Sequence, residues 1–293
     1  MAKNTTALAV IEERKMQCIS QEGEEQIRGI LESLADVDNL ARRLMGRIKI
    51  GSGGMLAFSV MEPGAERPEV TDTLECVIIM SHKCNAYWAR PLDQNDGNKL
   101  PDCASANGET GIRSATGEVH ACKTCPLNQY DSDPKGGAGK ACKNMRRLYV
   151  LREQDLFPMI LALPPTALKA YDDYRVAQSV KFNRVEGLLT RITLMPRTSA
   201  GGTEYGVPIF EAAAKLTPAD TARMRAYAAE ISGAAQRNDI TVDDYSTAPD
   251  SGGFKPVDDE TPFDKPDSPP PVAEHAAQTS FMSVDEDELP PEA

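Results

Sequence analysis

The chain has 293 residues, a formal net charge of −12 and 41% hydrophobic residues. No apolar run approaches the length of about 18 residues that a transmembrane helix needs, so we expect no membrane partner. The charge is segregated, because residues 238–293 carry fifteen Asp and Glu against two Lys, a net charge of −13, while residues 1–237 are near neutral at +1. We therefore predict one core of ordinary size followed by a separate polyanionic segment.

The segments that precede the cysteine-rich part of the chain predict helix first and strands afterwards. Residues 1–20 show no regular pattern and are predicted to be a flexible N-terminus. The elements predicted next are one amphipathic helix, or two short ones, between Gln21 and Arg47, a bent strand from Ile48 to Met61 and a short apolar strand from Leu74 to Met80.

The segments after the cysteines predict further strands and two helices. They are strands at Leu148–Leu151 and Phe157–Leu163, a helix from Thr166 to about Val180, a hairpin of Val185–Met195 and Tyr205–Leu216, and a helix from Thr217 to about Gln236. No regular alternation of strand and helix supports a doubly wound parallel sheet. For residues 21–237 we predict an α+β, mainly β fold, an OB-like antiparallel barrel with helical additions and a zinc-held insertion at residues 91–147.

Four cysteines lie in this insertion, which has too few large apolar side chains for a core of its own. Cys122 and Cys125 form a tight Cys-x2-Cys turn, with Cys103 upstream and Cys142 downstream. Ordering costs roughly 1–2 kcal/mol per residue in backbone entropy alone, so another interaction must hold the segment. Four thiolates select zinc over calcium or magnesium and form a closed structural site. The pattern predicts one zinc ion held by these four cysteines.

Two other uses of the cysteines stay open, disulfide bonds and reduced or redox-active thiols. Met1–Lys15 shows no signal-peptide pattern, so we expect a reducing cytoplasm, where clustered cysteines act as metal ligands or redox groups. His120 and Cys84 are alternative ligands. Cys76 lies in an apolar run and is predicted to be a small buried side chain.

The sequence contains few candidate catalytic residues. Lys135–Lys140 partly matches the phosphate-binding loop motif Gly-x4-Gly-Lys-Ser/Thr. However, Pro134 stands where the motif requires its first glycine, and Ala141 stands where it requires Ser or Thr. A nucleobase deaminase would need His-x-Glu upstream of the Cys-x2-Cys turn, and the order at Glu118–His120 is wrong. We therefore predict that the protein is not an enzyme.

Basic and aromatic residues are interleaved around the cysteines. Single-stranded nucleic acid is bound where Lys and Arg meet phosphates and aromatic rings stack on bases. The candidates are the basic residues Lys83, Arg90, Lys123, Lys140, Lys143, Arg146 and Arg147, and the aromatic residues Tyr87, Trp88, Tyr130 and Tyr149. Alternatively, Trp88 and Tyr149 anchor the core, and the basic run is a solvated face.

The segment at residues 238–293 is predicted to be a disordered acidic tail, with nine of the 21 prolines and few large apolar residues. Such a polyanion can occupy a cationic groove weakly and leave it when nucleic acid arrives. The tip of the tail combines an apolar anchor with acidic side chains and is a candidate binding site for replication or recombination proteins. The alternative is that the tail only increases solubility. The tip residues are Phe281, Asp285, Glu286, Asp287 and Glu288.

Four motifs carry a resemblance to a known family. Pro101–Ser105, Cys122–Asn128, Cys142–Leu148 and Leu163–Leu168 are similar to motifs of a widespread family of phage and prophage proteins. The layout also resembles that of T4-type phage single-stranded DNA-binding proteins, which have an OB fold, a zinc-held insertion and an acidic C-terminal tail. That type uses one His and three Cys at other spacings. The resemblance implies a role in DNA replication or recombination in the host cytoplasm.

Taken together, these patterns predict a zinc-containing protein that binds single-stranded DNA without sequence preference and is regulated by its acidic tail. The alternative is a zinc-containing adaptor or transcription regulator that acts by protein contact.

Overall fold

The computed structural model describes residues 16, 20–37, 40–51, 54–90, 100–134, 139–198, 202 and 204–236. All of them lie in the first of the two units into which the chain divides, Met1–Thr261 and Pro262–Ala293. The acidic tail predicted at residues 238–293 and most of the flexible N-terminus predicted at residues 1–20 lie outside the described residues.

The described chain is a mixed structure of helices and one large sheet. The helices are α1 Gln21–Ser33, α2 Leu40–Leu44, α3 Pro165–Val180 and α4 Pro218–Gln236. The strands are β1 Arg47–Ile50, β2 Phe58–Met61, β3 Glu69–Thr71, β4 Leu74–Tyr87, β5 Cys103–Ser105, β6 Thr110–Arg113, β7 Val119–Ala121, β8 Lys143–Leu151, β9 Met159–Leu163, β10 Leu188–Thr198 and β11 Glu204–Lys215.

The eleven strands form one sheet with the order β3-β2-β1-β9-β8-β4-β5-β6-β7, to which β10 and β11 attach through β4. Every pairing is antiparallel except that of β1 with β9. The prediction of a mostly antiparallel fold with helices is confirmed. The sheet formed by the described strands is open, so the predicted OB-like barrel is not confirmed.

The long strand β4 organises the sheet. It pairs with β8 along most of its length, while its other edge is shared by β10 near Leu74–Val77 and by β5 near Asn85–Tyr87. The sequence predicted a shorter strand that ends at Met80. Because β4 runs on to Tyr87 and β8 begins at Lys143, the two strands form a ribbon that carries the cysteines at its end.

Both faces of β8 are buried, since alternate side chains of a strand point to opposite faces. Leu148 and Val150 pack in one hydrophobic cluster with Tyr171 of α3. Tyr149 and Leu151 pack in the other, which also contains residues of α1 and α4. Helices therefore cover the sheet on two sides, and the whole second half of β8 is core.

The helix starts follow local capping chemistry. The Thr217 hydroxyl accepts a hydrogen bond from the Asp220 amide at 3.0 Å, which confirms the predicted start of α4. Ser20 caps α1 by accepting from the Gly23 amide at 3.0 Å. The predicted cap of α3 at Thr166 is wrong, because that helix begins at Pro165 with Pro164 in the cap position and no side-chain cap.

A buried guanidinium joins the end of β8 to the β2–β3 hairpin. Arg152 forms ion pairs with Asp155 at 2.9 Å, Glu62 at 2.6 Å and Glu69 at 3.5 Å. Burial alone would lower the pKa of Arg152, but hydrogen bonds to Asp155 and Glu62 outweigh it and raise this pKa. The cation therefore stays charged and neutralises an otherwise acidic edge.

Candidate metal centre and nucleic-acid surface

The cysteine segment, defined as residues 100–134 and 139–142, begins as a small meander of β5, β6 and β7. In the meander Cys103 pairs with Arg113, and Gly111 pairs with His120. Two single 3₁₀ turns follow, at Cys122–Thr124 and Pro126–Asn128. The three short strands thus place Cys103 and His120 beside the turns that carry Cys122 and Cys125.

Polar contacts, rather than apolar packing, hold the segment together. The Cys122 amide donates to the Glu109 carbonyl at 2.7 Å, and the Cys142 amide donates to the Leu127 carbonyl at 2.7 Å. The Asn128 side chain donates to the Cys122 carbonyl at 2.9 Å. These bonds fix the 3₁₀ turns against the start of β8 and satisfy buried backbone groups of the segment.

A further brace ties the segment to the ribbon beneath it. The buried Asn85 of β4 donates to the Gly108 carbonyl at 3.1 Å and accepts from the Asn144 side chain at 2.7 Å. Sequence reasoning missed this residue. No local signal could have found it, because its partners lie 23 and 59 positions away in the chain.

All four predicted cysteine ligands line one cavity of about 40 Å³, together with His120. Cys122 and Cys142 are buried, whereas Cys103 and Cys125 are partly exposed. Burial, followed by repulsion from the other three thiols, raises the pKa of Cys142 to about 12. Burial and two neighbouring thiols also raise the pKa of Cys103. The nearby Lys140 and Arg113 lower the pKa values of Cys142 and Cys103 respectively, but less than burial raises them. Four thiolates would therefore form at this site only with a cation among them.

His120 is a fifth donor at the cavity. Its Nε2 lies 3.6 Å from the Cys103 sulfur, and its buried Nδ1 has no hydrogen-bond partner among the residues that the structure describes. A Cβ on Gly111 would stand 2.8 Å from the His120 Nε2 and 3.3 Å from the Cys103 sulfur. Only glycine therefore leaves room for this contact, which is a second feature that the sequence did not single out.

Cysteine sulfur and histidine nitrogen are the donors that structural zinc takes. Among the residues that the structure describes, however, no group of three or more His, Cys, Asp or Glu side chains stands in an arrangement that could hold a metal ion. A tetrahedron with zinc–sulfur bonds of about 2.3 Å and zinc–nitrogen bonds of about 2.0 to 2.1 Å has a sulfur–nitrogen edge of roughly 3.5 to 3.6 Å. The Cys103–His120 distance of 3.6 Å matches that edge and also suits an N–H···S hydrogen bond.

The remaining described cysteines lie outside the cavity. Cys84, an alternative ligand in the sequence analysis, packs in an apolar cluster with Ala86 and Met145, so the ligand role is not supported. Cys76 is buried as predicted, and burial, more than the nearby Asp155, raises its pKa to about 12. None of the six described cysteines is in a disulfide.

Part of the predicted nucleic-acid surface is exposed. Lys83, Arg90 and Lys123 are exposed, and Tyr130 is 55% exposed. The Lys140 ammonium lies 4.5 Å from the centre of the Tyr130 ring, in cation–π geometry. Tyr87 and Trp88 are half-buried; Tyr87 lines the cysteine cavity, and Trp88 packs against the Cys84 cluster.

The rest of that predicted set is buried, and this corrects the sequence analysis. Arg147 and Tyr149 have no exposed surface, since both faces of β8 are covered. Arg146 is 8% exposed and pairs with Asp172 at 3.5 Å. Lys143 is largely buried and pairs with Asp133 at 3.4 Å. The predicted tail residues Phe281, Asp285, Glu286, Asp287 and Glu288 lie outside the described residues.

Comparison of the chain with protein-family models, with curated proteins and with solved structures finds no match. Within the described part of the chain, no helix has the length and apolar character needed to cross a membrane. The proposed function therefore rests on the residues of the site alone.

Proposed function

We propose that this protein binds single-stranded DNA without sequence preference, as part of phage DNA replication or recombination in the host cytoplasm. The observation that carries the proposal is the exposed set Lys83, Arg90, Lys123 and Tyr130 on and beside the cysteine segment. Cations that meet phosphates and rings that stack on bases are the groups that unpaired strands require. Phosphates and base faces are common to all sequences, so contacts with them suit binding without sequence preference.

Zinc would act as a structural ion in this proposal. Cys103, Cys122, Cys125 and Cys142 would hold it, with His120 either replacing a thiolate or donating to the Cys103 sulfur from outside the cage. The bound ion supplies folding free energy to the cysteine segment. The protein's own contribution is to fix Lys123 and Tyr130 on that segment.

The proposal is tested by titrating labelled oligo-dT at increasing salt. Phosphate contacts release counterions, so log affinity should fall linearly with log salt, by about 0.7 per phosphate for single strands. Lys83→Ala and Lys123→Ala should each flatten this slope by about 0.7. Lys215→Ala, an exposed lysine on β11, is the matched control and should leave the slope unchanged. Binding that ignores salt, or that favours duplex, would count against the proposal.

The acidic tail is proposed to compete with DNA for these cations. A protein shortened after residue 237 should bind oligo-dT more tightly, because it loses a net charge of −13. The gain should shrink as salt rises. If the full-length and the shortened protein bind oligo-dT with equal affinity at low salt, the tail does not compete with DNA.

A second candidate function is a zinc-containing adaptor or transcription regulator. It is favoured by an exposed apolar pair on the meander, Ile112 at 51% and Val119 at 62%, which lie opposite each other on β6 and β7. Contiguous exposed apolar residues mark protein-binding surfaces more than DNA-binding ones. Recovery of replication or transcription subunits in a pull-down that Ile112→Ser abolishes, without any oligo-dT affinity, would favour this function.

A further inference from the structure

The C-terminus of α3 ends in an unusual cap. The Phe182 amide donates to the Ser179 carbonyl and the Asn183 amide donates to the Gln178 carbonyl, both at 3.0 Å, which is the Schellman pattern. Phe182 occupies the left-handed position of this motif, with φ of 57°. Glycine is the usual residue there, because an L side chain is disfavoured in the left-handed region.

Within the part of the chain that the structure describes, the side chain is not buried, so no burial offsets this cost. Phe182 is 98% exposed, the highest value among the large apolar side chains described. A large aromatic ring held in solvent, on a strained backbone, is an outlier that points to a function rather than to folding.

The cap that carries the ring is rigid. The Asn183 side chain donates to the side-chain oxygen of Gln178 at 3.0 Å, and Gln178 is buried in α3. This bond adds to the two backbone bonds of the Schellman motif. The backbone that carries the ring is therefore fixed, and binding there costs less ordering entropy than binding to a mobile loop.

The surroundings of the ring are cationic. Residues 174–185 contain Arg175, Lys181 and Arg184 and no Asp or Glu. Lys181 and Arg184 flank Phe182 closely and are exposed. Arg175 is partly neutralised by Asp172 at 3.4 Å, and Arg184 lies 3.9 Å from Glu186. Lys181 has no ion pair with any residue that the structure describes.

We propose that Phe182 is a base-stacking residue at a second contact point for single-stranded nucleic acid, and that Lys181 and Arg184 contact the flanking phosphates. This inference rests on the proposed function. Charge complementarity selects the occupant, because an aromatic ring between two cations fits a base between two phosphates. An apolar partner surface would leave the Lys181 ammonium without a counter-charge.

The second contact point lies apart from the cysteine segment. Arg146, near the start of β8, stands 5.6 Å from the Tyr171 ring in the first half of α3. Val180, the last residue of α3, follows Tyr171 by nine positions, which corresponds to about 14 Å along the helix, and Phe182 comes two residues later. An oligonucleotide must therefore be long enough to pass from one contact point to the other.

The test uses the full-length protein and a long fluorescent oligo-dT. Phe182→Ala and Phe182→Leu should weaken binding by about 5- to 150-fold, the value of one stacked base, while Phe182→Trp should retain it. The control is Val70→Ala, which removes a 62% exposed apolar side chain on β3 and should change nothing. An oligonucleotide carrying 5-iodo-deoxyuridine should cross-link to Phe182 on irradiation.

The outcomes separate this inference from the proposed function. If the wild-type protein binds oligo-dT and Phe182→Ala binds equally well, stacking at Phe182 is wrong while the proposed function stands. If Phe182→Leu binds like wild type, the ring makes only a general apolar contact, and stacking is again wrong. If Phe182→Ala instead converts a dimer to a monomer in sedimentation, the occupant is a second copy. If the wild-type protein does not bind at all, both proposals fail.

Discussion

Replacing Phe182 by glycine perturbs one backbone position without removing any packing. The left-handed conformation costs an L residue about 1–2 kcal/mol, and glycine removes that cost. Glycine in turn raises the entropy of the unfolded chain, which costs about 0.5–1 kcal/mol. Since the ring is 98% exposed, no buried area is lost. We therefore expect Phe182→Gly to stabilise the protein by about 0.5–1 kcal/mol while it weakens oligonucleotide binding.

The measurement is urea unfolding of wild type, Phe182→Gly and Phe182→Ala under identical conditions. The glycine variant should unfold at higher urea with an unchanged slope, and its Tm should rise by about 1–4 °C for a domain of this size. The alanine variant keeps the left-handed strain and should match wild type. A glycine variant less stable than wild type would refute the reasoning, because the ring would then have to contribute packing.

Three further outcomes are expected. Gly111→Ala should lower zinc affinity about 10- to 100-fold in a chelator competition, because the new Cβ would displace His120; equal affinity would mean that His120 does not support the centre. Arg152→Ala should lower the free energy of unfolding in urea by about 3 kcal/mol, because Asp155 is then buried without its cation while the two other carboxylates are half-exposed. The double variant Arg152→Ala, Asp155→Ala should recover part of this loss of stability. If the effects of the two single substitutions simply add in the double variant, the pairing is contradicted. Cys76, buried with a pKa of about 12, should resist thiol reagents until the protein is unfolded, and rapid native labelling would contradict its placement.

Elements specified by local chemistry could be predicted from the sequence. The start of α4 follows from Thr217 and Asp220, whose hydrogen bonds span three residues. Between Gln21 and Arg47 the sequence left open one helix or two short ones, and the structure has two, α1 and α2. The grouping of Cys122 with Cys125 follows from their spacing alone. Cys103 joins them only because β5, β6 and β7 pair as a meander, which the sequence did not predict.

The predictions were wrong where residues far apart in the sequence determine whether a side chain is buried. Arg147 and Tyr149 stand in a basic and aromatic run that is typical of a surface, yet both are fully buried. Tyr149 packs in the cluster that contains residues of α1 and α4, which lie far from it in the sequence. Phe182 was not singled out from the sequence, because no periodic pattern marks a non-glycine residue with a left-handed backbone conformation.

The most direct test of the account measures zinc content and oligo-dT affinity in one preparation, before and after treatment with a strong chelator and after zinc is restored. The account predicts one zinc per chain, loss of protease resistance in the cysteine segment and weaker binding after chelation, and recovery of both when zinc returns. Cys125→Ser should behave like the chelated protein. A zinc-free protein whose cysteine segment stays protease-resistant, with unchanged affinity for oligo-dT, would contradict it.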